Sequence, residues 1–182
     1  KKRKGTLQLI RALPSVREVI PDVRCVILGK VHAEAHYTAQ VQAEIDRLGL
    51  VNCVYMPGFV SEAELLGWYQ QADVFVLPSM NDGWKFEGFG LVHLEASAAG
   101  VPVIGTTDNG AEDAIVPSET GLLVDQAQAA AELPDAILSI LQNPERAKAM
   151  SIAGKYYAQR QTWERVAQQT IAIYQRLLQL EA

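Results

Sequence analysis

Short apolar runs alternate along this chain with longer stretches whose apolar residues recur at helical spacing. Leu7, Ile10, Leu13 and Val16 mark a helix between Gly5 and Val19, which Pro14 is expected to kink or split. Val23 to Leu28 is an unbroken apolar run ended by Gly29, the character of a parallel strand buried on both faces. His36 to Leu48 reads as a helix stopped by Gly49, and Val51 to Met56 as the next strand, stopped by Pro57-Gly58. Ser61 and Glu64 have the spacing of a capping box, in which each side chain satisfies the other residue's free backbone N–H. The helix it opens carries Leu65, Leu66, Trp68 and Tyr69. Val74 to Leu77 is a third strand ended by Pro78, and Leu91 to Ala99 a short apolar helix ended by Gly100. Val101 to Thr106 is a fourth strand and Gly121 to Val124 a short fifth. Three helices follow from Ala127, the last and longest running from Trp163 to Leu180.

Such alternation predicts an α/β fold, a parallel sheet with helices on both faces. Ligands of these sheets bind beyond the carboxyl ends of the strands. The loops after Leu28, Met56, Leu77 and Thr106 should therefore gather at the site. The 182 residues suit one domain, and no linker or internal repeat interrupts them.

Composition narrows the function classes. A net charge of −5 argues against non-specific binding to nucleic acid or anionic lipid. No apolar run approaches the roughly 20 residues of a membrane span, and the opening Lys1-Lys2-Arg3-Lys4 leads straight into helix-like sequence without a secretory signal. Cys25 and Cys53 lie in apolar strand-like stretches and read as buried free thiols of a reducing cytoplasm. His32, His36 and His93 are scattered, so no metal site is expected. Arg11, Arg17 and Arg24 read as solvated charges, and the Trp68-Tyr69 pair as core.

The segment with chemical content is Glu87-Gly88-Phe89-Gly90-Leu91-Val92-His93-Leu94-Glu95. Two glycines at a helix start allow close approach of a ligand to the backbone. The free N–H groups there, with the positive end of the helix dipole, suit a phosphate. Phe89, Gly90 and Leu91 are the expected donors. Glu95 sits among apolar neighbours four residues after Leu91, on the same face and roughly 6 Å further along the axis. A nucleotide whose phosphate rests on the helix start reaches Glu95 with its ribose hydroxyls. The other reading of Glu95 is a carboxylate paired with an arginine or a backbone donor. Glu87 is either a sugar-hydroxyl contact or a plain partner of the helix dipole.

Glu87 and Glu95 form a Glu-x7-Glu pattern. It is preceded by Ala72-Asp73-Val74-Phe75-Val76-Leu77-Pro78-Ser79 and followed by Ala96-Ser97-Ala98-Ala99-Gly100-Val101-Pro102-Val103-Ile104. Together these resemble the C-terminal domain of glycosyltransferase family 4, the large retaining GT-B family. Lys4-Gly5 is similar to the Lys-Gly that opens that domain's first helix. Pro57-Gly58-Phe59-Val60 is similar to its base-contacting loop, Gly121-Leu122-Leu123-Val124 to a late strand, and Trp163 and Tyr174 to its closing helix.

The resemblance implies a Rossmann-like domain, the C-terminal half of a GT-B fold, that binds a nucleoside-diphosphate sugar. The reaction it implies is sugar transfer to an acceptor hydroxyl with retention, needing no metal or other cofactor. Glu87 would contact the donor sugar, and Lys4 would neutralise the diphosphate. Gly88 would belong to the phosphate loop, with the amides of Phe89, Gly90 and Leu91 as donors. Glu95 would hold the ribose, and Val60 would contact the base. Lys4 also reads as one of a solvated basic cluster, and Val60 as a plain loop residue. The arginine that the family places several residues before its lysine would precede Lys1. The N-terminal domain that binds the sugar or lipid-linked acceptor lies outside the sequence, so the 182 residues alone are expected to bind donor without transferring it. The implied setting is polysaccharide or glycolipid assembly in the cytoplasm, with the full-length protein peripheral on the inner face of the membrane. Asn109-Gly110 stands where the family has Gly-Gly, and Glu112-Asp113 where it has Pro-Glu, which puts the acceptor-side loop in question. Trp84, in an extended loop before Glu87, reads as a loop anchor rather than a sugar platform, and His93 as structural.

Three other readings compete. One is another GT-B enzyme, such as a starch or glycogen synthase or a sugar-nucleotide epimerase. Another is a non-catalytic nucleotide-binding module. A receiver-like or flavodoxin-like domain would need an acidic cluster or a flavin loop, and the sequence has neither.

Overall fold

A computed structural model describes residues 1–29 and 34–180. His32 lies outside the described residues. A single 3-10 turn, Lys2–Lys4, precedes helix α1 (Thr6–Val19). Then come β1 (Cys25–Leu28), α2 (Ala35–Arg47), β2 (Val54–Gly58), α3 (Glu62–Gln71), β3 (Phe75–Val76), α4 (Leu91–Ala99) and β4 (Val103–Thr106). The chain continues through α5 (Ala111–Ala114), β5 (Gly121–Val124), α6 (Ala129–Leu141), α7 (Pro144–Gln159) and α8 (Trp163–Leu180).

Among the described residues the named strands pair in parallel, in two ladders, β1–β2 and β3–β4–β5. Adjacent residues of a strand point to opposite faces, and here each face meets its own helices. Ile104, Val124 and Leu122 pack with Ala12 and Val16 of α1 and with Leu133, Ile137 and Ile140 of α6. Val103 and Leu123 pack the other way, with Ala96 of α4, Ala111 of α5 and Tyr69 of α3. Helix α1 also joins the two ladders. Its Ala12 and Val16 enter the first cluster, while Ile10 and Leu13 enter a second with Tyr37, Val41, Ile45, Leu50 and Cys53.

That double burial explains why Pro14 does not split α1, which runs unbroken for 14 residues. Ile10, Ala12, Leu13 and Val16 are all buried, which outweighs the roughly 3 kcal/mol that an interior proline costs. The capping box at Ser61 is present, with Ser61 N donating to Glu64 Oε2 at 2.8 Å. The second strand begins later than its apolar run. Leu50 and Cys53 turn inward to the core, and Val51 is left 61% exposed in the turn between them. Cys53 is buried and Cys25 partly so, and both are free thiols; burial pushes Cys25 up to about 12. Arg11 is exposed and Arg17 half-buried, and both also have partners: Arg11 Nε lies 2.8 Å from Glu44, and Arg17 donates to the Gly49 carbonyl at 2.9 Å.

One other expectation is corrected. Trp84 is no anchor. Asp82 and Lys85 close a two-residue hairpin by exchanging backbone hydrogen bonds, and Trp84 stands at its tip, 82% exposed. Helix α8 forms as expected, but every side chain from 163 to 178 is exposed, including Trp163, Ile171, Ile173 and Leu178.

Gly5 controls how the chain's start meets the sheet. Its φ is +64°, and a Cβ there would stand 1.7 Å from the carbonyl oxygen of Pro78. Gly5→Ala therefore combines a left-handed alanine with a backbone clash and is expected to cost about 2–4 kcal/mol. Urea unfolding measures this; an unchanged midpoint and slope would mean that this segment does not dock on Pro78.

Candidate active site

The site lies at the carboxyl end of β3 and β4, where the parallel arrangement places it. The segment around Lys4 reaches it because Gly5 allows contact with Pro78 and because Met80 N donates to the Arg3 carbonyl at 2.7 Å. Lys4 is thereby brought to Glu87, 83 residues away in sequence, and their side chains form an ion pair. Glu87 Oε2 also lies 3.3 Å from Arg3 Nη1 and accepts from Ser79 Oγ at 3.1 Å. The three charged side chains are largely enclosed, with Glu87 12%, Arg3 24% and Lys4 28% exposed. Burial by itself would raise the Glu87 carboxyl. The hydrogen bond and charge of Lys4, the Ser79 hydroxyl and the Arg3 charge outweigh it, so Glu87 sits below the ordinary carboxylate range. Lys4 is therefore not merely part of a solvated basic cluster.

The loop from Glu87 to Gly90 is fixed from the other side by Gly110. Gly110 N donates to the Glu87 carbonyl at 2.8 Å, and a Cβ at Gly110 would meet the Gly88 carbonyl oxygen at 2.2 Å. Asn109 adds a staple to this approach. Asn109 Nδ2 lies 2.9 Å from both Thr106 Oγ1 and the Thr107 carbonyl, and Asn109 Oδ1 accepts from Ala111 N at 3.0 Å.

Gly90 precedes α4 with φ +76° and no side-chain cap, and the first turn of α4 carries no acidic residue. His93 N in that turn donates to the Gly90 carbonyl at 2.8 Å; the N–H groups of Leu91 and Val92 precede any helical acceptor and lie at the dipole's positive end. Gly88 and Leu91 are exposed beside it, and Phe89 is half-buried. His93 is wholly buried, and its Nδ1 lies 3.2 Å from the Gly90 carbonyl oxygen.

Glu95 differs from its expected setting. Its neighbours His93, Leu94, Ala96 and Ser97 face inward, while Glu95 shares the exposed face with Leu91. No burial penalty weighs on it. Its partner is neither an arginine nor a backbone donor but the hydroxyl of Tyr69, which donates to Glu95 Oε2 at 3.3 Å. Val60 lies half-buried in the loop after β2, on the other ladder.

Sequence reasoning thus picked out Lys4, Glu87 and the Gly88–Leu91 turn, which the fold brings together. It missed Arg3, Ser79, Tyr69 and the staple at Asn109. Ser79 carried a signal, as the first hydroxyl after a strand-ending proline. Tyr69 carried none, because its ring position matches a half-buried helix residue whatever its hydroxyl does. Among the described residues no group of three His, Cys, Asp or Glu is arranged to hold a metal. No described helix is long and apolar enough to cross a membrane.

A family model described as glycosyl transferases group 1 matches residues 1–156. The GDP-mannose-dependent alpha-(1-6)-phosphatidylinositol monomannoside mannosyltransferase of Mycolicibacterium smegmatis is 36% identical over 158 residues, 86% of this chain and 40% of that protein. Among solved structures, sucrose-phosphate synthase from Thermosynechococcus elongatus superposes with a TM-score of 0.80 at 30% identity, covering 99% of this chain and 44% of that one. Anabaena HepE in complex with UDP-glucose gives 0.81 at 25% identity, covering 97% and 46%. The chain spans less than half the length of these relatives.

Burial lowers His93 from the usual 6.5 to about 4, against a smaller raising effect of the Gly90 carbonyl. The unfolded chain therefore binds the extra proton first as pH falls. His93's contribution is complete above about pH 6.5 and is lost as pH drops towards 4, a change of roughly 3 kcal/mol. Denaturant unfolding across this window should show that slope, and His93→Leu should flatten it. An unaltered slope in the variant would refute a buried neutral histidine.

Proposed function

Because the chain belongs to the group 1 glycosyltransferases, we propose that it is the donor-binding half of a retaining, family 4 transferase. The enzyme moves a sugar from a nucleoside diphosphate to an acceptor hydroxyl. The observation that carries this reading is the meeting of Lys4, Arg3 and Glu87 beside the uncapped start of α4. Two cations and one carboxylate leave a net positive charge there, and the helix dipole adds to it. An enclosed positive site of this kind suits a leaving diphosphate, on which negative charge develops as the glycosidic bond breaks.

In this reading the amides of Phe89, Gly90 and Leu91 bind the diphosphate. Lys4 exchanges part of its contact with Glu87 for a phosphate oxygen. Glu87 turns its free lone pairs to hydroxyls of the donor sugar, and Glu95 accepts from the ribose. Gly88 keeps the loop thin enough for the sugar to approach, and Val60 borders the base. Binding needs no metal, since lysine, arginine and the helix start supply the positive charge. Catalysis comes from positioning and from charge stabilisation, so the protein's rigidity matters as much as its functional groups.

HepE is described in complex with UDP-glucose and the mycobacterial relative as GDP-mannose-dependent. Both support a nucleoside-diphosphate sugar as donor, and they differ in the base. The mycobacterial relative's phosphatidylinositol monomannoside supports a lipid-linked or sugar acceptor, in glycolipid or polysaccharide synthesis. The acceptor is bound by an N-terminal domain equivalent to the remaining length of the relatives, and transfer requires it.

Calorimetric titration of UDP, GDP and ADP with EDTA present tests the donor site. One nucleotide should bind without metal, and Glu95→Ala should weaken it by about ten- to a hundredfold, the loss of a charge-assisted hydrogen bond. Binding that depends on added metal, or that ignores the loss of Glu95, would contradict this assignment.

A further inference from the structure

Glu95 stands exposed on α4 and, by itself, would spread over many rotamers. A carboxylate that must receive two neighbouring hydroxyls needs a fixed orientation, and the fold supplies a means of fixing it. Tyr69 Oη donates to Glu95 Oε2 at 3.3 Å. The Tyr69 ring meets Phe75 of β3 edge-on, with centroids 5.8 Å apart at 63°. Phe75 in turn meets the imidazole of His93 at 5.6 Å and 84°. His93 is fully buried and held to the Gly90 carbonyl. An unbroken line of contacts therefore runs from the residue before the first turn of α4, through three rings, back to the carboxylate one turn further along the same helix.

We propose that Tyr69 is a positioning residue for the ribose subsite: its hydroxyl orients the Glu95 carboxylate towards the vicinal hydroxyls of a bound nucleotide. This rests on the reading of Glu95 as the ribose contact. The phenol keeps its proton, because burial and the charge of Glu95 both push its pKa up, so it remains a donor at every working pH. It uses one of the roughly four acceptor positions of the carboxylate and leaves Oε1 and a lone pair of Oε2 for the ligand. A single hydrogen bond at the surface adds little affinity by itself. Its value here is orientation, which matters only when a ligand presents hydroxyls to receive.

That distinction gives the test. Dissociation constants are measured for UDP, or for GDP if it binds more tightly, and for the 2′,3′-dideoxy counterpart, in the unaltered protein and in Tyr69→Phe. The unaltered protein should prefer the ribonucleotide by about tenfold or more. Tyr69→Phe, which keeps the ring stack, should weaken the ribonucleotide by about three- to tenfold and leave the dideoxy nucleotide unchanged, so the preference shrinks. A preference kept intact in Tyr69→Phe overturns the proposal, as does an equal weakening of both ligands, the mark of a merely structural tyrosine. A protein that shows no preference before mutation overturns the ribose reading of Glu95 itself, and the proposal with it.

Discussion

The Glu87 carboxylate ties together parts of the chain that sequence keeps far apart. Lys4 and Arg3 come from before the first helix, Ser79 from the end of β3, and Glu87 from the loop into α4. Without Glu87 the two cations would repel each other in a partly enclosed space, where unit charges about 4 Å apart interact by roughly 4 kcal/mol at an effective dielectric of 20. With it they are held beside the start of α4 and still leave an excess of positive charge. The same carboxylate thus organises the site and, in the proposed reading, preserves the field that an anionic ligand needs.

This arrangement depends on backbone contacts that side chains would prevent. Gly5 lets the first turn lie on Pro78, and Gly110 lets its own backbone lie on Gly88. At Gly90 a Cβ would stand 2.7 Å from His93 Nδ1, so the glycine that bares the helix start also makes room for the ring beneath it. The loops that carry the polar groups are therefore held by close-packed main chain. Sites built this way lose precision when a supporting contact is altered, even where the functional side chains are untouched.

The order of strands and helices was legible because each boundary has its own local chemistry. The capping box at Ser61, the left-handed Gly100 and the apolar runs at β1, β3 and β4 act without help from distant residues. Lys4, Glu87 and the glycine turn were legible through a spacing pattern. Arg3 and Tyr69 were not, because their roles depend on tertiary contacts 84 and 26 residues away. Glu95 shows the opposite error. A run of apolar neighbours suggested a buried helix, but four-residue periodicity puts Leu91 and Glu95 on the solvent side while His93, Leu94, Ala96 and Ser97 face the core. Val51 failed for a related reason: an apolar residue in an apolar run still lies in a turn when Leu50 and Cys53 claim the interior.

The separation of the two ladders bears on how one ligand is shared. Val60 follows β2, whereas Glu87, the start of α4 and Glu95 belong to β3 and its neighbours. In the proposed reading a nucleotide spans the junction, with its base towards the first ladder and its diphosphate and ribose on the second. The element common to both is α1, whose adjacent faces fill the two cores and whose first residue follows Gly5. The segment that delivers Lys4 to Glu87 is therefore continuous with the helix that sets one ladder against the other. A shift of α1 would move the cation and the base-side loop together, so the spacing between the two ends of a nucleotide is governed by core packing and less by the loops that touch it.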